Sequence, residues 1–244
     1  MKKLLICSSV VLCVVPLIAW TVNSFQFASY PGGRTAMENY FKDSLRYPET
    51  EKSEGKEEIV RVTFDISKEG VAQNPRTTSL FGGSPGFDAE VKRLIANMPK
   101  WDPELDRKGR PVASMDYAIV RFRLPDSLLK PLPVSTDSTV FAMAEEMPQF
   151  QGGESAFQTY LQWTIRYPPM EKEQGKEGTV YIYFEVTQKG SIANVKCQKG
   201  VSGAPGLANE AIRVVKDMPR WTPGKVSGRY VRVGMTIPIR FTLQ

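Results

Sequence analysis

Met218-Pro219-Arg220-Trp221 stands 120 residues after Met98-Pro99-Lys100-Trp101. Outward from these, Gly152-Gly153 answers Gly32-Gly33, Tyr167-Pro168 answers Tyr47-Pro48, Gly190 answers Gly70, and Pro205-Gly206 answers Pro85-Gly86, all at the same spacing. After the tryptophans the spacing drops to 119, as Gly109 and Gly228 or Phe122 and Phe241 show. A period this long, with turn residues in matching places, means two copies of one folding unit; a solenoid needs shorter and more numerous repeats. The 244 residues leave roughly 100 to each copy, near the low end of ordinary domain size.

Composition excludes several function classes. The chain is 41% apolar and 24% charged, with the balance of a globular protein. Its net charge of +6 comes from scattered Lys and Arg with acids beside them, which reads as a solvated surface and gives no nucleic-acid interface. Histidine is absent, which removes Ser-His and Cys-His nucleophiles and most zinc sites. Cys7 and Cys13 lie in the apolar N-terminal run, so Cys197 is alone in the folded body, at a strand position suited to a buried small hydrophobe. Gly32-Gly33 and Gly152-Gly153 enter helices without the Lys-Ser or dinucleotide pattern of a phosphate cradle and read as tight turns. The neighbouring acids Glu57-Glu58 and Glu145-Glu146 point apart on a strand and read as surface. Tyr181 and Tyr183 lie on the less apolar strand face, where packing or cover by the other copy is expected ahead of stacking on a sugar or base. No set of residues supports catalysis, a metal or a cofactor, so the chain reads as a non-enzyme.

Lys2-Lys3 precede an apolar run from Leu4 to about Val22, so residues 1–24 read as a signal peptide or a membrane anchor that directs export of the rest of the chain. A short strand, Ser24 to Ala28, leads into copy one (25–124), and Val140 to Met143 leads into copy two (140–244); residues 125–139 form a Pro- and Ser-containing linker. A helix follows each Gly-Gly, with apolar residues at Met37, Phe41 and Leu45 and again at Phe157, Leu161 and Ile165. Tyr47-Pro48 and Tyr167-Pro168 stop these helices. Alternation at Val60, Val62, Phe64 and Ile66, and at Val180, Ile182, Phe184 and Val186, predicts hairpins turning at Glu69-Gly70 and Lys189-Gly190. A second helix carries Phe87, Val91, Leu94, Ile95 and Met98, repeated at Leu207, Ala211, Val214, Val215 and Met218. Trp101 and Trp221 are expected to plug the gap between that second helix and the sheet. The last strand alternates from Val231 to Leu243, but Ser114 and Asp116 break the pattern in copy one. Pro238 marks this strand as an edge. The predicted fold class is α+β, two tandem units of helix, strand, strand, helix, strand.

Met147-Pro-Gln-Phe-Gln-Gly-Gly153, the Tyr167-Pro168 stop, the Lys189-Gly190 hairpin, Met218-Pro-Arg-Trp-Thr-Pro-Gly-Lys225 and the close at Arg240-Phe241-Thr242-Leu243 resemble the C-terminal domain of TonB energy transducers, in the Bacteroidetes style. Gly152, Gly153, Tyr167, Pro168, Met218, Pro219 and Trp221 are the motif residues. The resemblance covers 140–244, and a diverged version covers 25–124, where Pro103-Glu104-Leu105 replaces the Pro-Gly-Lys. It implies a periplasmic protein, tethered to the inner membrane or released after signal cleavage. Such a protein binds the TonB box of outer-membrane receptors by strand addition and supports energy-dependent nutrient transport. An Exb-type proton-channel motor is the implied coupling partner, and a homodimer is open. Tyr230, Val231, Arg232, Val233 and Gly234 are the expected docking edge, because backbone pairing there precedes Pro238. The family's anchors usually carry a histidine and a long Pro-rich spacer, and this sequence has neither; the alternative is a non-energised periplasmic tandem interaction module.

Overall fold

The computed structural model describes residues 26–129, 132–134 and 139–243. The expected signal or anchor segment, the start of the first lead-in strand and part of the linker lie outside the described residues. Copy one comprises α1 (Gly33–Ser44), α2 (Glu49–Glu54), β1 (Glu58–Ile66), β2 (Ala72–Ser79), α3 (Pro85–Ala96), β3 (Glu104–Leu105), β4 (Pro111–Val112) and β5 (Ser114–Phe122). Copy two comprises β6 (Val140–Phe141), β7 (Gln149–Phe150), α4 (Gly153–Thr164), α5 (Pro169–Glu173), β8 (Gly178–Val186), β9 (Ile192–Lys199), α6 (Pro205–Lys216), β10 (Trp221–Thr222), β11 (Gly224–Val226) and β12 (Arg229–Phe241).

The α+β class and the duplication hold, with one addition to the expected order. The first helix of each copy ends at Ser44 or Thr164, before the proline, and Leu45 and Ile165 turn extended. Pro48 and Pro168 then cap a further short helix, for which their fixed φ is suited. These short helices place a buried acid under the N-terminus of the next helix. Glu171 Oε1 accepts from the Gly206 amide at 2.7 Å, and Glu51 Oε1 accepts from the Ser84 hydroxyl at 2.5 Å. A carboxylate there meets the unpaired N–H groups and positive end of the helix. Hydrogen bonding by Ser84 is the largest cause holding Glu51 below the usual carboxylate range.

The two copies build separate antiparallel sheets, ordered β2-β1-β5 and β9-β8-β12, with β11 and β6 added against β12. Val60, Val62, Phe64 and Ile66 are fully buried against α3, as are Val180, Ile182, Phe184 and Val186 against α6. Trp221 is buried in one core cluster with Leu207, Ala211, Val214 and Val215 of α6, and its ring also meets Phe150, Phe157 of α4 and Phe184 of β8 at 5.6, 6.0 and 5.4 Å. Met218 belongs to the same core and is 1% exposed. The Trp221 amide donates to Gly190 O at 3.0 Å. A side chain at residue 190 would lie 2.1 Å from the Trp221 carbonyl, which is why the glycine and the tryptophan recur together. Cys197 is half-buried at the core margin, on a strand whose outer positions face water.

Alternate residues of β1 separate two cores. Val60 and its set face the helices of copy one, while Ile59 joins the core of copy two, with Leu80, Phe81 and Ile119 against it. Leu80 and Phe81 share a groove with Ala156, Thr159 and Trp163 of α4. Polar contacts cross the same seam. Arg220 meets Glu57 at 3.2 Å and the Leu124 carbonyl at 2.7 Å, and Arg123 donates to the Met218 carbonyl. Glu57 and Glu58 are therefore no surface pair. Glu58 is 3% exposed and accepts from the amides of Ile59, Leu80, Phe81 and Gly83 at 2.8, 3.0, 2.9 and 2.9 Å, shaping the loop that meets copy two.

Candidate docking edge

Where β12 is open depends on which way its backbone groups point. Ser227 and Gly228, with φ of 50° and 72°, form a two-residue turn that joins β11 to β12. Tyr230 pairs with Lys225 on one flank and with Val134 on the other, and its amide donates outward to the Pro133 carbonyl at 3.0 Å. Arg232 pairs with Val140, and Val233 lies between Val186 and Phe141. Tyr230 and Val233 thus have strands or linker on both sides, with Val231 and Arg232 between them. The expectation of an open edge over Tyr230–Gly234 is corrected: only Gly234 of that set begins the open stretch, because the linker and β6 add themselves alongside the rest.

Beyond Val233, no strand pairs the outer flank of β12 among the described residues. The β12–β8 register runs unbroken from Val233 to Phe241. Alternation from Tyr230 then aims the backbone groups of Gly234, Thr236, Pro238 and Arg240 outward. Pro238 lacks an N–H at a position where the sheet needs none, which is why a proline is compatible with this strand.

Beside that edge runs a groove of about 720 Å³ between α4 and β12. Its walls include Phe157, Leu161, Ile165, Tyr167, Ile237, Ile239 and Phe241, with Glu154, Gln158 and Gln162 on the helix rim. The motif residues set this geometry without lining most of it. Gly152 and Gly153, at φ of 79° and 74°, start α4. Arg213 fastens its far end by donating to the Thr164 carbonyl at 2.6 Å and is itself held by Glu210, whose hydrogen bond raises the guanidinium pKa. Tyr167 sets its ring edge on Phe241 at 5.8 Å, and Pro168 caps α5. Tyr160, fully buried, donates to the Val214 carbonyl at 2.8 Å, and burial pushes its hydroxyl up to about 12. Pro219 and Met218 are buried, and the Met218 carbonyl is the one that accepts from Arg123.

The matching groove of copy one is about 360 Å³ and is bordered by Asp217 of copy two. Arg121 approaches Asp217 at 3.9 Å, and Glu38 is tied to Arg166. Arg34, whose counterpart in copy two is Glu154, donates to the Tyr117 carbonyl at 3.5 Å and meets Asp116 at 3.7 Å, along the margin of β5.

A family model described as Gram-negative bacterial TonB protein C-terminal matches residues 43–124 and again 164–243. The chain belongs to the TonB C-terminal family. Two NMR solution structures of the Helicobacter pylori TonB C-terminal domain are similar to it. One is 24% identical with a TM-score of 0.28, covering 36% of this chain and 77% of that one; the other is 25% identical with a TM-score of 0.27, covering 36% and 90%. No curated protein matches the chain. TonB C-terminal domains are interaction and transducer modules without enzymatic chemistry, and the family supports a TonB-like role. No helix among the described residues is long and apolar enough to cross a membrane.

Proposed function

We propose that this is a periplasmic TonB-type protein whose second copy takes up an extended segment of an outer-membrane receptor by strand addition along Gly234–Thr242. In that role it supports energy-dependent nutrient transport. The observation that carries the reading is the pairing of an open strand flank with an apolar groove in copy two, while contacts within the chain border and narrow the groove of copy one. Unpaired backbone groups supply affinity to an added strand, and the groove takes alternate side chains. Tethering at the inner membrane and coupling to an Exb-type motor belong to the same proposal, and self-pairing of two such edges is the form a homodimer would take. Amide exchange on Thr236 and Arg240 tests docking: a receptor TonB-box peptide should slow both, and unchanged exchange would refute it.

One feature favours the alternative, a non-energised tandem interaction module. The copies pack against each other through Ile59, Phe81 and Arg220, so the linker between them adds no reach across the periplasm. Deleting the gene and restoring it either intact or with residues 1–24 replaced by a cleavable signal peptide, so that both forms are exported, separates the two. Nutrient uptake that returns only with the native N-terminal segment supports the energised reading; full return with the released form supports the other.

A further inference from the structure

Side chains on a strand added to β12 would fall on two surfaces of different chemistry. Those beside Ile239 and Phe241 share the α4 side, where Phe157, Leu161, Ile165 and Tyr167 form an apolar wall. Those beside Thr236, Pro238 and Arg240 share the other sheet face, on which these three are exposed and their odd-numbered neighbours are not. Arg240 makes no ion pair among the described residues, and its cross-strand neighbour on β8 is the uncharged Thr179. Further across the same face, Lys196 and Lys199 lie against the rings of Tyr183 and Tyr181 at 4.6 and 5.9 Å. Within the strands the acid on this face, Glu185, is 6% exposed and already engaged by Asn194 at 2.8 Å and Arg232 at 3.4 Å, and Glu177, just before β8, accepts from the Leu243 amide. An incoming residue opposite Arg240 therefore meets a guanidinium that no acid among the described residues pairs with directly, the nearest on that face, Glu177, being held by the Leu243 amide.

We infer that the docking edge selects an extended peptide carrying an acidic residue between two apolar ones. The acid lies opposite Arg240, and its apolar neighbours lie opposite Ile239 and Phe241. This rests on the strand-addition reading above. Because the pattern is the same read in either direction, it holds for a parallel or an antiparallel partner. Opposite Pro238 the partner finds a carbonyl but no N–H, so selection is concentrated at the Arg240 end.

Capped nine-residue peptides centred on Val-Glu-Val and Val-Lys-Val provide the test, titrated against the full chain and against Arg240→Glu at low salt. Directly opposed charges on neighbouring strands contribute up to roughly 1 kcal/mol. The intact protein should thus prefer the Glu peptide by about three- to fivefold, the preference should shrink with added salt, and Arg240→Glu should reverse it. Equal binding of both peptides, with Thr236 and Arg240 amides protected in each complex, would overturn the charge rule and leave docking intact. Absence of binding and of any change in exchange with either peptide, and with a receptor TonB-box peptide, would sink the docking reading and this inference with it.

Discussion

Replacing Glu58 should loosen the whole chain although it lines neither the groove beside β12 nor its counterpart in copy one. Its carboxylate is the acceptor for the loop amides of Phe81 and Gly83, which have no other acceptor among the described residues. The Leu80 amide keeps a second acceptor in the Ile59 carbonyl at 2.9 Å and so contributes less. Two hydrogen bonds to a charged acceptor, at roughly 1.5–3 kcal/mol each, give a loss of about 3–6 kcal/mol for Glu58→Ala. Glu58→Gln keeps one accepting oxygen but sets an NH2 against one loop donor, so its cost should be intermediate. Urea denaturation of the full chain measures the size, and amide exchange on Leu80 to Gly83 measures the place. A loss below about 1 kcal/mol, or an alanine variant whose loop amides stay protected, would refute the claim that this carboxylate shapes the seam.

Trp221→Ala removes a ring enclosed by three aromatic neighbours and should destabilise by about 3–5 kcal/mol, read from the urea midpoint. An unchanged midpoint with weakened peptide binding would make Trp221 a contact residue instead. Tyr160 ionises near 10 when unfolded and at about 12 when folded, so its contribution is complete below pH 10 and is lost as pH rises through the folded value. Tyr160→Phe should accordingly flatten the alkaline fall in melting temperature. Cut between 124 and 140, copy one exposes Ile59, Leu80, Phe81 and Ile119, and should self-associate in sedimentation more strongly than the intact chain.

What could be read from sequence followed periodicity. Strand alternation at Val180–Val186 and the helical stripe from Leu207 to Met218 each recur in the other copy, so core faces and order were legible twice over. The short helices were not, since six and five residues hold too little repeat to register. Glu51 and Glu171 looked like any surface acid, although the Pro-Gly pairs that they serve were visible as a repeat. Nothing local distinguishes Glu58 from Glu57, because its partners are backbone amides some 25 residues on. The covered part of the docking edge escapes sequence for a related reason. Pro238 correctly marked β12 as an edge strand, but the two residues of β6 that cover Arg232 and Val233 carry no signal of their destination.

The seam between the copies also bears on how large the assembly can grow. One surface of copy one, centred on Ile59 and Ile119, sits on a different surface of copy two beside Trp163. A union of unlike patches has no geometric end, since each added unit presents the same free patch again, and such contacts build rings or filaments. Here chemistry supplies the stop. At the repeat spacing, copy two carries Thr179 and Pro238 in place of Ile59 and Ile119, and copy one carries Asp43 in place of Trp163. The first half has kept the adhesive face and the second half has kept the receiving one, so the duplication ends as a closed pair with its fibre-forming surfaces spent on each other.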